Sequence, residues 1–485
     1  MAKMWVCGED RAAISGESFA VINPATEEVV DTVPRAQAVD VHVAVDAAAR
    51  AFDGWRFVPG LEKAQLMHAS ARWMRDYQER LATLLTREGG KPLCENRDEV
   101  EWVAAVFDYY AEVGRDSIGR VIAPTQLDQF NCVLKEPYGV VACIVPWNYP
   151  LLLLAWKMAP ALAAGNTLVI KPSEYTPLST LMLMEAFRDY PDGVVNVVTG
   201  YGAEAGEPLV TDDRVRCVAF TGSVATGRRI ATLAAQGLKK TTLEMGGNDP
   251  FIICDDVDVD IAVRGAAWAA FLNMGQVCTS AERFYVFRSI HGVFMEKLVA
   301  HTRSLRLGDP LQPGVDLGPM VSDNQRQKVE RKISEAEAMG ARTLTGGSRP
   351  AKFPKGYYLE PAVLDRVDHR MELMREETFG PVAPVMAVDG IDEAIRLAND
   401  SRYGLGANIY TNNLEYTMRA VHGIKAGTFW INDPLTDNDA GPFGGMRMSG
   451  IGRELGIEGL EEFRETKHVH MDYRIGPKPY WFPYK

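Results

Sequence analysis

The sequence predicts an α/β protein of more than one folded unit, built around a doubly wound parallel sheet. At 485 residues the chain exceeds the size at which a single hydrophobic core usually stops growing. Between positions 139 and 236, short β-branched apolar runs alternate with segments of helical periodicity, the pattern of parallel strands covered on both faces. After Gly246-Gly247 a second alternation of the same kind begins.

Taken in order, the alanine-rich stretch 40–52, the apolar spacing of 62–88 and the segment 97–113 predict three helices. Segments 130–135 and 139–146 read as strands around the turn-forming Glu136-Pro137-Tyr138-Gly139. Helices at 150–164, 178–187, 202–209 and 227–236 then alternate with strands at 167–170, 194–198 and 214–220. Such a sheet binds nucleotides at the carboxyl ends of its strands. In the second half, 250–254 and 283–287 read as strands and 259–273 and 291–305 as helices, with 324–339, 392–399 and 414–421 continuing the series. There is no internal repeat and no low-complexity run, and no compositional shift marks a boundary near 245.

Composition excludes several function classes. With 47% hydrophobic and 24% charged residues the chain is an ordinary globular protein. Its net charge of −12 speaks against a nucleic-acid partner, which would need a basic face. Lys3, Glu9, Asp10, Arg11 and Glu17 break up any signal-peptide core at the start. Lys157, Pro160 and Gly165 interrupt the most apolar stretch, 150–168, so no membrane partner is expected. Seven cysteines lie at 7, 94, 132, 143, 217, 254 and 278 with no CxxC or metal-ligand spacing, which predicts reduced thiols, a cytoplasmic location and no bound metal.

Four local signals carry chemistry. Pro146-Trp147-Asn148-Tyr149-Pro150 follows an apolar strand, where a rigidly held carboxamide can donate to a developing oxyanion; the alternative is a polar loop residue. Lys171-Pro172-Ser173-Glu174 closes the next strand, where an acidic side chain can bind ribose hydroxyls, or both charges are simply solvated. Phe220-Thr221-Gly222-Ser223-Val224-Ala225-Thr226-Gly227 opens a helix after a strand, so that backbone amides can meet a pyrophosphate, although the spacing departs from G-x-G-x-x-G and a plain turn also fits. The last signal is a pair. Leu243-Glu244-Met245-Gly246-Gly247 supplies a carboxylate, and Asn273-Met274-Gly275-Gln276-Val277-Cys278-Thr279 supplies a thiol on a polar loop. Together they make a nucleophile and a general base, whereas a lone cysteine is more often a small buried hydrophobe.

In this order the motifs resemble the aldehyde dehydrogenase superfamily over nearly the whole chain. The likeness runs from Val21-Ile22-Asn23-Pro24-Ala25-Thr26 through Glu376-Glu377-Thr378-Phe379-Gly380-Pro381 and Pro442-Phe443-Gly444-Gly445-Met446-Arg447-Met448-Ser449-Gly450 to Gly452-Arg453-Glu454-Leu455-Gly456. The resemblance implies Cys278 as the nucleophile that forms a thiohemiacetal and then a thioester, Asn148 as an oxyanion donor with the Cys278 backbone amide, and Glu244 as the base that activates the hydrolytic water. It implies NAD as cofactor, held by Trp147, Lys171, Ser173, Glu174, Gly202, Gly206, Phe220, Gly222, Ser223, Glu377 and Phe379. Glu174 favours NAD over NADP, although some members with this glutamate tolerate NADP. Members that acylate CoA usually lack the base, so Glu244 points to water as acyl acceptor.

The resemblance also implies an aldehyde dehydrogenase-like fold. A doubly wound NAD-binding domain would span 1–122 and 142–244, and an α/β catalytic domain 245–445. A small β oligomerisation element at 123–141 and 466–485 would make a homodimer or homotetramer. The aldehyde tunnel would include Tyr149, Leu152, Leu153, Trp156, Val277, Thr279, Leu435 and Phe443. Aromatic walls with acidic neighbours such as Asp433, Asp437 or Asp439 would hold a cationic aldehyde, and the nearest members oxidise betaine aldehyde or aminoaldehydes. Against this, Trp430-Ile431-Asn432-Asp433-Pro434-Leu435 departs from the betaine-type pattern. The alternatives are an aromatic or aliphatic aldehyde or a semialdehyde, a CoA-acylating or thiol-esterase activity on the same cysteine, and a non-catalytic scaffold.

Overall fold

The computed structural model describes residues 1–116 and 119–484. Five parallel strands form the heart of the first sheet, in the order Lys240–Met245, Val215–Gly222, Val140–Ile144, Thr167–Lys171, Val195–Val197. Antiparallel strands finish both edges: Gly450–Ile451 on one side, Met4–Val6 and Glu9–Arg11 on the other. The chain lays down Val140–Ile144 first, moves outward to Val195–Val197, then returns to place Val215–Gly222 on the opposite flank. The strand order therefore reverses between Val140–Ile144 and Val215–Gly222, which opens a crevice at their carboxyl ends. Separate apolar cores cover the two faces, as the uninterrupted burial of Val140–Ile144 and Thr167–Lys171 requires.

The second sheet runs Arg342–Thr345, Ala362–Asp365, Val382–Val388, Ala281–Phe287, Asp249–Ile253, Gly406–Tyr410, Thr428–Ile431, all parallel except Arg342–Thr345. A third, three-stranded antiparallel sheet joins Arg464–Asp472, Gln129–Pro137 and Gly119–Ile122.

Several elements differ from the sequence expectation. The helix expected over 62–88 is two, Gly60–Asp76 and Gln78–Gly89, broken where Tyr77 leaves helical geometry at φ −106°, ψ 15°. The strands expected around 136–139 do not form a hairpin. Gln129–Pro137 pairs with the distant tail strand, and Val140–Ile144 enters the first sheet. Glu244 lies on a strand, in register with Thr221, where only a glycine-flanked carboxylate was read. The helix expected over 97–113 spans Leu93–Asp116, and its earlier start brings Glu95 onto the same face as Glu99 and Trp102.

Candidate active site

The carboxyl edge of the first sheet faces the amino edge of the second. From the first come Pro146, Trp147 and Asn148, just past Val140–Ile144, and Gly222 with Ser223, the residue that caps helix Val224–Gln236. From the second come Cys278, three residues before Ala281–Phe287, and Glu377 with Phe379, just before Val382–Val388.

The loop that presents Cys278 is unusual in its backbone. Asn273, Met274 and Gly275 have φ of 47°, 60° and 66°, three consecutive left-handed residues of which two are not glycine. Such geometry costs of order 1–3 kcal/mol per non-glycine residue and persists only where the surroundings enforce it. At Gly275 a Cβ would lie 2.2 Å from the Gly380 carbonyl oxygen, so no larger residue fits. The loop is held by a knot of amides. Asn148 Nδ2 donates to the Gln276 carbonyl at 3.0 Å, Asn273 Nδ2 to the Asn148 carbonyl at 3.2 Å, and the Val321 amide to Gln276 Oε1 at 2.9 Å. Asn148 and Cys278 are thereby locked to one another.

Two cavities meet at Asn148, Leu153 and Cys278. Tyr149, Leu152, Trp156, Val277, Thr279, Leu435 and Phe443 line the first with them, so all eight residues expected in the tunnel lie on one cavity. Sequence reasoning missed Glu95, Asp98, Glu99, Trp102, Trp268 and Leu272, which line it too. A signal existed, since 95, 98/99 and 102 recur at helical spacing and so share a face. Of the three aspartates considered for a cation, only Asp437 lines the cavity. Asp433 is exposed and its charge falls on Tyr410, while Asp439 acts on Tyr109.

These carboxylates are not equivalent. Glu99 is committed, because it pairs with Lys91 and accepts the Leu151 and Leu152 amides at 3.0 and 3.1 Å, closing the first turn of helix Pro150–Ala164. Glu95 Oε2 is buried without a partner among the described residues, and burial pushes its carboxyl up to about 8. Burial pushes Asp437 up to about 7. The Cys278 thiol is driven well up, first by burial and then by the charge of Asp437, with smaller contributions from Glu377, Asp249 and Glu244. Cys278 keeps some exposed surface, and it borders both cavities, so it is deep yet reachable.

The second cavity holds Trp147, Gly222, Ser223, Glu377 and Phe379, and an adjoining slot adds Lys171, Ser173, Glu174, Gly202, Gly206 and Phe220. Every residue expected to hold a dinucleotide therefore lines one continuous groove. A Cβ at Gly246 would come within 2.3 Å of both Glu377 carboxylate oxygens, so glycine is required for Glu377 to reach the groove. Glu377 Oε1 is buried and has no partner among the described residues, an acceptor suited to a ribose hydroxyl. Burial lowers the Lys171 ammonium, which donates to the Pro172 carbonyl at 2.8 Å beside Glu174. Two further supports were not legible. Buried Glu282 accepts the Thr378 and Phe379 amides at 2.8 Å each, and Lys332 donates to the Glu377 carbonyl at 2.8 Å. The Phe379 ring meets Trp147 edge-on at 5.4 Å. Among the described residues no cluster of three His, Cys, Asp or Glu side chains is placed to hold a metal ion.

Glu244 lines neither cavity. It is 2% exposed and its carboxylate lies toward Gly444 and Gly450, where a Cβ at Gly444 would sit 2.7 Å from Oε1. Burial and then the charge of Glu454 raise its carboxyl well above the usual range, while Lys157 acts in the opposite sense. Lys157 itself is fully buried, with Nζ 2.6 Å from Glu454 Oε1 and 2.5 Å from Thr221 Oγ1.

The family model described as Aldehyde dehydrogenase family matches residues 11–469. A chloroplastic aminoaldehyde dehydrogenase from Arabidopsis thaliana is 42% identical over 479 residues, covering 97% of this chain and 96% of its own length. Betaine aldehyde dehydrogenase 1 of Oryza sativa subsp. japonica is 43% identical over 476 residues, covering 96% and 94%. Among solved structures, betaine aldehyde dehydrogenase from Staphylococcus aureus in complex with NAD+ superposes with a TM-score of 0.97 at 36% identity, over 99% of this chain and 96% of that one.

Proposed function

The chain belongs to the aldehyde dehydrogenase family, and from that premise we propose that it uses NAD to oxidise aldehydes that carry a positive charge, of the aminoaldehyde or betaine aldehyde kind, to carboxylic acids. The observation that carries the charge preference is the aldehyde cavity itself. Tyr149, Trp156, Trp102, Trp268 and Phe443 line it with aromatic rings, the Tyr149 ring already carrying Lys91 Nζ at 3.6 Å, while Glu95 and Asp437 add carboxyl groups without ion-pair partners among the described residues. An uncharged aldehyde would offer those carboxyls no counter-ion, and burial then favours their neutral, protonated form. The relatives named for aminoaldehydes and for betaine aldehyde support the same reading.

In this mechanism Sγ of Cys278 adds to the aldehyde carbon to give a thiohemiacetal, and the oxygen that becomes anionic is held by Asn148 Nδ2 and the Cys278 backbone amide. Lys171 and Glu174 hold the adenosine ribose, the amides around Gly222 and Ser223 the pyrophosphate, and Glu377 the second ribose, with Trp147 and Phe379 walling the groove. NAD, when bound, would supply the two-electron acceptor, and loss of hydride from the carbon attached to Cys278 would leave a thioester. Glu244 then takes a proton from the water that attacks the thioester, turning from its inward position toward Cys278 to do so. Lys157 and Glu454 lie behind it as a buried route for that proton.

The same reading extends to assembly and location. The three-stranded sheet of Gly119–Ile122, Gln129–Pro137 and Arg464–Asp472 is the face for a homodimer or homotetramer. Among the described residues no helix is long and apolar enough to cross a membrane, and all seven cysteines are unpaired, in keeping with a cytoplasmic setting.

The test is NADH or NADPH formation over a panel of aldehydes: aminoaldehydes, betaine aldehyde, aliphatic, aromatic and acidic semialdehydes, with Cys278→Ala as control. Reduction of NAD by the cationic members, absent in Cys278→Ala, is the expected result. A preference for uncharged or acidic aldehydes overturns the substrate class, and activity surviving in Cys278→Ala overturns the nucleophile.

A further inference from the structure

We propose that Asp437 couples recognition of a cationic substrate to ionisation of the nucleophile: its carboxylate opposes formation of the Cys278 thiolate until a positive group of the substrate neutralises it. This rests on reading the cavity as a site for cationic aldehydes.

The placement of Asp437 is built rather than incidental. Past strand Thr428–Ile431 the chain turns through two left-handed residues, Asn432 and Leu435, with φ of 62° and 61°. Trp430 Nε1 then donates to the Thr436 carbonyl at 2.7 Å, pinning the backbone immediately before Asp437. The Asp437 side chain borders the cavity with Cys278 and Asn148, and it makes no hydrogen bond or ion pair with any described residue. A carboxylate that shares a cavity with a thiol and has no counter-ion disfavours ionisation of both groups until a positive charge enters.

Four carboxylates act on Cys278: Asp437, Glu377, Asp249 and Glu244, of which Asp437 acts most strongly. Glu377 borders the nucleotide groove, and Asp249 and Glu244 border neither cavity, so only Asp437 meets an incoming aldehyde. Across the cavity stand Glu95, Asp98 and Glu99 on helix Leu93–Asp116, with Glu99 paired to Lys91, and Tyr149 from the opposite loop. Among the described residues bordering the cavity there is no cation, and Lys91, which lies over the Tyr149 ring at 3.6 Å, is committed to Glu99. A substrate ammonium is therefore the charge that can relieve the field of Asp437 on the thiol. Empty, or filled by an uncharged molecule, the site keeps Cys278 as a thiol and protects it from adventitious electrophiles.

The test is the pH dependence of Cys278 alkylation by iodoacetamide, followed by mass spectrometry of the peptide that carries it, in the full-length protein without aldehyde. In that reaction the Sγ–C bond forms, iodide leaves, and the thiol proton passes to buffer. Ethylammonium chloride is the probe, and sodium chloride at equal ionic strength the control. An apparent pKa is read rather than a rate, so simple blocking of the cavity does not mimic the effect. In the native protein ethylammonium should lower the apparent pKa by about one unit, and sodium should not. Asp437→Asn and, as a second variant, Asp437→Ala should begin at the lower value and no longer respond. Equal values in all three proteins overturn the coupling, as does a native value that ethylammonium leaves unmoved or a response that survives in both variants. Failure of the substrate reading looks different: the aldehyde panel would show turnover of uncharged aldehydes only, while the ethylammonium shift stood.

Discussion

Asn148 donates its side-chain amide to the Gln276 carbonyl at 3.0 Å, which ties the loop after one sheet to the loop that carries Cys278 in the other. One Nδ2 hydrogen is spent on this bond and the second is free for an oxyanion. Asn148→Ala should therefore lower kcat by on the order of 10²–10³ while NAD affinity stays near its native value. Steady-state rates beside a fluorescence titration with NAD check this. Loss of cofactor binding in parallel with kcat would show that the knot of amides, rather than the oxyanion, had been lost.

Glu244→Gln separates the two halves of the reaction. It should leave hydride transfer intact and slow thioester hydrolysis, giving a stoichiometric burst of NADH followed by little turnover. Stopped-flow absorbance reads both phases, and full steady turnover would remove the general-base role.

The buried Lys157–Glu454 pair should matter to stability. Both side chains are at most 1% exposed, so Lys157→Met leaves Glu454 without its partner and Glu244 beside it. Breaking a buried pair in this way costs about 3–5 kcal/mol, to be read from the denaturant midpoint. Lys157→Met with Glu454→Leu should recover much of the loss, because the uncompensated charge is then gone.

Burial raises the Asp437 carboxyl from the usual aspartate range to about 7, so the group is neutral below that pH and anionic above it. KM for a cationic aldehyde should fall as pH rises through about 7, and KM for an uncharged aldehyde should show no such step. Asp437→Asn should remove the step. A pH profile of KM for one aldehyde of each kind checks this, and identical profiles would exclude Asp437 from substrate binding.

Glu174 borders the nucleotide groove beside Lys171. Its carboxylate should accept hydrogen bonds from a 2′-hydroxyl and repel a 2′-phosphate, so Glu174→Ala should narrow the preference for NAD over NADP. Dissociation constants for the two nucleotides give the ratio directly, and an unchanged ratio would move the discrimination elsewhere.

Much of the site was legible because its parts are local. Gly222 with Ser223, Asn148 after an apolar strand, and Gly246 beside Glu244 sit at or just past strand ends, within short stretches of sequence, with Ser223 capping the helix that follows. A sheet of this topology then brings strand ends together, whereas Gly202, Gly206, Glu377 and Phe379 entered only through the family resemblance. Other residues were not legible, because long-range packing assigns their roles. Trp268 and Trp102 fall in segments that read only as helices, 259–273 and 97–113, with nothing to say which face meets the cavity. Glu282 and Lys332 were invisible as supports for Glu377 because the contacts span 96 and 45 residues. The unbroken helical spacing of 62–88 hid the break at Tyr77, and the turn residues 136–139 suggested a hairpin whose strands in fact join different sheets.

The sequence by itself determined the two alternating α/β units, the aldehyde dehydrogenase resemblance, and the chemistry offered by Cys278, Asn148 and Glu244, because these rest on residue type and short-range spacing. Only the tertiary structure decided which carboxylates line the cavity beside Cys278 and which are already committed. Asp433, Asp437 and Asp439 are equivalent as letters in one loop, yet the left-handed turns at Asn432 and Leu435 leave Asp437 alone on the cavity. The Glu99 carboxylate is consumed by Lys91 and the start of a helix, while one Glu95 oxygen remains unpaired. Charge is written in the sequence. Whether that charge is free depends on what the fold packs against it, since burial and partners set both its cost and its availability.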